Sequence, residues 1–88
     1  MIIDFDAAKS AKNLAERELP FDCVADFDWE SASIAIDTRN PYPEPRLVAL
    51  GYLQERLHVL CFTPIAGGIR VISLRRANKR EVSRYENP

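Results

Sequence analysis

Between Arg46 and Leu74 the chain strings three apolar segments together through links too short to hold a crossover, so neighbouring segments must run antiparallel. Arg46–Leu53 and Arg56–Thr63 are separated only by Gln54-Glu55, and a loop from Pro64 to Gly68 leads into Ile69–Leu74. Along the middle segment Leu57, Val59 and Cys61 point one way, while His58, Leu60 and Phe62 point the other. The period of two starts earlier, at Ser31: Ile34 and Ile36 share one face, and Ser33, Ala35 and Asp37 share the other. A stiff loop, Arg39 to Pro45, holds three of the six prolines and precedes the hairpins.

The first thirty residues read differently. Met1 to Phe5 is a short strand, and Asp6 is a good N-cap for a helix over Ala7–Arg17. Ala7, Ala11, Leu14 and Ala15 form one small apolar stripe, suited to close packing on a sheet. Pro20 breaks that helix, and Phe21, Val24, Ala25 and Phe27 suggest a second, shorter one, with Phe27 and Trp29 feeding the core. Residues 77–86 make a short charged helix. The expected fold is therefore α+β: an antiparallel four-stranded sheet packed by two N-terminal helices, with a short C-terminal helix, in a single domain over residues 1–88.

Charge is distributed unevenly. The net −1 hides ten acids against four bases in residues 1–44, and three acids against eight bases in residues 45–88. No apolar run approaches the ~20 residues that span a bilayer, and the start lacks a basic region followed by an apolar one, so a cytoplasmic location is expected. Cys23 and Cys61 sit among apolar neighbours and read as buried free thiols. With one histidine and no paired cysteines, no zinc site is expected; no glycine-rich phosphate loop or serine triad is marked either. No metal and no cofactor are called for.

What remains is arginine. Arg70, Arg75, Arg76, Lys79 and Arg80 crowd five cations into eleven residues, and like charges this close repel unless an anion lies between them. A phosphate-bearing partner supplies that anion, and the planar guanidinium grips phosphate oxygens in pairs. RNA fits, because its own 2′-hydroxyl can attack the neighbouring phosphate while positioned cations stabilise the phosphorane. Strict alternation puts Arg70 and Arg76 on one face and Arg75 on the other. His58 has the pKa range for proton transfer, or else is a histidine satisfied on a half-buried strand. Glu44 either serves as a base or pairs with Arg46, and Tyr42 either stacks on a nucleobase or packs locally.

The ordered set Asp4-Phe5-Asp6, Lys9, Asn13, Phe21, Arg39, Tyr42-x-Glu44-x-Arg46, Gly51, Thr63, Arg70-x-Ile72-Ser73-x-Arg75, Ala77, Glu81 and Tyr85 resembles the BrnT toxins, placed among the RelE-like ribonucleases. The resemblance implies a RelE-like fold and a toxin that cleaves RNA. It implies an antitoxin of the BrnA type with a ribbon-helix-helix domain, a hetero-oligomer with that antitoxin, and promoter DNA bound only through it. Arg46, Arg70 and Arg75 are the positions it marks for phosphate binding and charge stabilisation, with Glu44 and His58 as further catalytic candidates. Tyr42, Arg76, Lys79 and Arg80 are RNA-binding candidates. Two departures stand out: Glu16-Arg17-Glu18 replaces a Lys-His-Gly common in the family, and Pro64-Ile65-Ala66 lacks an arginine that many members carry there. They motivate an alternative, a catalytically degenerate toxin that only binds antitoxin or RNA.

Overall fold

The computed structural model describes all 88 residues. The elements are β1 (Ile2–Asp4), α1 (Ala7–Arg17), a 3-10 helix (Phe21–Asp26), β2 (Ser33–Ile36), β3 (Leu47–Leu53), β4 (Arg56–Ile65), β5 (Gly68–Arg76) and α2 (Lys79–Glu86). They build one five-stranded sheet in the order β1-β5-β4-β3-β2. The α+β class stands, but the sheet differs from the four antiparallel strands expected. Strands β2 to β5 are antiparallel neighbours, and β1 adds a fifth strand that runs parallel to β5. Its partner lies more than sixty residues away in sequence, so no local link betrays the pairing. The Ile2 amide donates to the Gly67 carbonyl at 2.9 Å, and the Ile2 backbone lies where a Gly68 side chain would be.

The second N-terminal helix is also not an α-helix. Six residues confined between extended Pro20 and extended Phe27 form a 3-10 helix without a side-chain cap. It still delivers Phe21 and Val24 to the core. There Phe27, Trp29 and Phe62 meet edge to face, with centroids 4.8 and 5.3 Å apart. The Phe27 ring lies over Gly51 in β3, where a Cβ would come within 2.6 Å of it.

Helix α1 starts as expected, with Asp6 accepting from the Ala8 and Lys9 amides. Its apolar stripe does not dock, however. Ala7, Ala11 and Ala15 are exposed and Leu14 is 50% accessible, whereas Ser10 and Asn13 are buried. Ser10 Oγ accepts from the Phe21 amide at 2.9 Å, and Asn13 Nδ2 donates to the carbonyls of Leu19 (2.7 Å) and Leu74 (3.0 Å). Small alanines offer little apolar area, so satisfying buried backbone groups decides which face turns inward.

The last irregularity positions the functional side chains. Cys61 pairs with Ser73 but Phe62 pairs with Val71, leaving Ile72 as an extra residue in β5. Past this bulge the alternation is reset. Arg70 lies opposite Thr63 and Arg75 opposite Val59, so both stand on the sheet face turned away from α1. Arg76 lies opposite His58 and donates to the Arg17 carbonyl at 2.7 Å, on the α1 side. The split read from strict alternation is thus corrected: Arg70 goes with Arg75, and Arg76 is the one opposed. Helix α2 covers part of the remaining face. Tyr85 donates to the Ser31 carbonyl at 2.6 Å and packs edge to face on Tyr52.

Candidate functional site

On the face away from α1, strand pairing lines up a row of charged residues. The Asp37 amide bonds to the Arg46 carbonyl (2.7 Å), and Leu47 pairs with Phe62, which sets Arg46 beside Thr63. Thr63 pairs with Arg70, which pairs with Asp4. Thr63 Oγ1 ties the row to the proline loop through the Pro45 carbonyl at 2.6 Å. Adjacent strands lie about 4.8 Å apart, so the Arg46 and Arg70 backbones stand about 10 Å apart with Thr63 between. Next to this row a groove of about 420 Å³ has Val48, Val59, Cys61, Arg39 and Arg75 in its lining, together with the carboxylates Asp37 and Glu81. The proline loop borders a broader, shallow and open depression of about 680 Å³ lined in part by Tyr42, Glu44 and Arg46.

Every arginine of this face has a carboxylate neighbour. Arg39 grips Asp37 through Nε and Nη2 (2.9 and 2.8 Å), and Arg70 Nε meets Asp4 at 2.8 Å. Arg75 grips Glu81 through both terminal nitrogens at 2.8 Å. The cation crowd at the end of the chain is therefore relieved in part from within. Arg46 is the least engaged. Its closest approach to Glu44 is 3.6 Å, and its guanidinium carbon stacks 4.1 Å from the Tyr42 ring centroid. Its Nε is buried without any hydrogen-bond partner, although 26% of the side-chain surface stays exposed.

These contacts hold two carboxyls below their ordinary range. Asp37 is lowered chiefly by the Arg39 side chain, then by the Arg39 amide and the Tyr42 hydroxyl. Glu81 is lowered to about 2, chiefly by Arg75. A carboxyl depressed in the folded state contributes stability above its unfolded pKa and loses it as pH falls through the folded value. Stability is therefore expected to decline as pH drops from 4.5 toward about 2, and Glu81→Gln to flatten part of that decline. Urea denaturation across this pH range checks it; parallel profiles for parent and variant would contradict it.

The expected site residues are only partly gathered. Arg46, Arg70, Arg75, Glu44 and Tyr42 lie on the arginine face or its loop, with Glu44 beside Arg46 and Tyr42 stacked beneath it. His58 is not brought to them. It is 3% exposed on the α1 side, its Nδ1 lies 2.7 Å from the Arg56 carbonyl, and burial pushes its pKa down. Arg76 is held on that same side, and Lys79 and Arg80 are exposed on the first turn of α2 without an ion pair. Asp37, Arg39 and Glu81 join the site without being among the expected site residues. Arg39 and Glu81 stand in the ordered set that carries the resemblance, but nothing in the linear chain marks Asp37. Cys23 and Cys61 are free thiols. No helix is long and apolar enough to cross a membrane, and no three His, Cys, Asp or Glu side chains cluster as metal ligands.

Fold and site together define an α+β protein that gathers Arg39, Arg46, Arg70 and Arg75, each beside a carboxylate, on one sheet face and its adjoining loop. A family model described as the ribonuclease toxin BrnT of type II toxin-antitoxin systems matches residues 5–81, and the chain belongs to this family. No curated protein and no solved structure matches it.

Proposed function

We propose that the protein is an endoribonuclease toxin that cleaves RNA without a metal. The supporting observation is the β5 bulge, which brings Arg70 and Arg75 to the face that Arg46 also occupies. In this reading the substrate 2′-oxygen attacks the adjacent phosphorus and its proton passes to Glu44. Arg46, whose guanidinium is only loosely engaged by Glu44, stabilises the added charge of the phosphorane, and Arg70 and Arg75 hold the flanking phosphates. The 5′-oxygen leaves with a proton drawn from water, giving a 2′,3′-cyclic phosphate and a 5′-hydroxyl. His58, buried on the other side, has no part in it. The toxin acts in the cytoplasm. Its partner is a BrnA-type ribbon-helix-helix antitoxin, which forms a hetero-oligomer with it and alone contacts promoter DNA.

A second reading, a toxin that binds without cutting, draws support from the carboxylate on each arginine. The altered Glu16-Arg17-Glu18 segment does not favour it, because that segment ends α1 on the far side of the sheet. Induction of the protein alone separates the two readings. Growth arrest that co-expressed antitoxin lifts is expected of the nuclease, whereas harmless induction together with tight antitoxin binding favours the binder.

A further inference from the structure

Arg75 stands on β5 opposite Val59, on the groove side. A guanidinium has five N–H donors arranged as two forks: one between its terminal nitrogens, the other between Nε and Nη2. Glu81 fills the terminal fork, with Nη1 donating to Oε1 and Nη2 to Oε2, both at 2.8 Å. Nη1 also donates to the Arg76 carbonyl at 3.3 Å. Nε–H and the second Nη2–H make no hydrogen bond, and they are the adjacent, parallel pair that matches two phosphate oxygens.

The carboxylate is itself held in place. Glu81 Oε1 accepts from the Asn78 amide at 2.9 Å, and Asn78 Oδ1 accepts from the Glu81 amide at 2.9 Å, a closed capping box at the start of α2. Its side chain is only 14% exposed. A carboxylate fixed this firmly orients its partner; a stand-in for substrate would have to leave, and its departure would leave the Asn78 amide without its acceptor. We infer that Glu81 is a positioning residue that aims the free fork of Arg75 into the groove to receive a phosphodiester of single-stranded RNA. Arg39 shows the complementary arrangement: Asp37 takes its Nε side and leaves its terminal nitrogen Nη1 free.

The inference rests on the ribonuclease reading for its rate measurement but not for its binding measurement. Titrating the parent with a short, uncleavable 2′-O-methyl RNA should move the Arg75 Nε–H resonance. In Glu81→Ala that shift should vanish, and cleavage of unmodified RNA should fall roughly ten- to hundred-fold in maximal rate with KM changed less than about threefold. Glu81→Gln retains the cap acceptor but sets an amide against the guanidinium; it should lose rate similarly and serves if the alanine variant folds poorly. Tyr85→Phe loosens the other end of α2 without touching Arg75 and should stay within about twofold of the parent. An Arg75 resonance that the RNA leaves unmoved, a Glu81 variant that cleaves as fast as the parent or faster, or a Tyr85→Phe loss as large as that of Glu81→Ala would overturn it. A moving resonance in a parent that cuts no RNA removes the nuclease reading and leaves the aiming of Arg75 intact.

Discussion

Arg46→Ala is expected to slow RNA cleavage by about 10²–10³-fold, the usual effect of deleting one preorganised donor aimed at developing charge. Among the arginines of the face, Arg46 is the one whose donors are least committed to a carboxylate. Glu44 is 3.6 Å away, and the buried Nε has no acceptor at all. An unsatisfied buried donor carries a folding cost, so removing it should leave the thermal midpoint close to that of the parent. Arg46→Lys separates charge from shape. It keeps the cation but loses the planar fork and most of the stacking on Tyr42, and should recover only part of the rate. Single-turnover cleavage assays on the two variants measure this. Parent-like rates in Arg46→Ala would remove Arg46 from the site.

The largest stability effect is expected at Gly68. An added Cβ would fall 1.9 Å from the Ile2 carbonyl oxygen and 2.7 Å from the Ile2 amide nitrogen, both backbone atoms that no rotamer change can move. Gly68→Ala must therefore push β1 off the sheet edge. That disrupts the pairing of Ile2, Ile3 and Asp4 with β5 and disturbs the Asp4–Arg70 contact. The cost should be on the order of 3 kcal/mol, a large part of the stability of a domain this small. Urea denaturation gives the loss, and amide exchange at Ile2, whose N–H bonds the Gly67 carbonyl, locates it. The adjacent Gly67 sits at φ +78°, so the two glycines serve different ends: one makes the turn and the other admits a neighbouring backbone.

This difference marks where the sequence was readable. Elements set by nearby residues were legible: the Asp6 cap, the break at Pro20, the Gln54-Glu55 turn and the alternation along β4 all appear at the expected places. Features set by distant partners were not. Pro64 to Gly68 reads only as a loop between strands because the strand that needs Gly68 lies at the other end of the chain. The bulge at Ile72 has no glycine or proline to announce it, so strict alternation puts Arg70 and Arg75 on opposite faces when they share one. The alanine stripe of α1 looked like a packing face, but the buried bonds of Ser10 and Asn13 outweighed it. Two of the arginine–carboxylate pairs also depend on the folded chain. Asp4 reaches Arg70 across 66 positions, and Glu81 comes to Arg75 only once α2 folds back over the sheet.

Catalysis by this arginine face is tested most directly with purified protein and a short RNA in the presence of a chelator. The expected products end in a 2′,3′-cyclic phosphate and a 5′-hydroxyl, and a 2′-deoxy substitution at the cleaved nucleotide should abolish them. RNA left intact by folded protein, with or without added divalent ions, would contradict that chemistry.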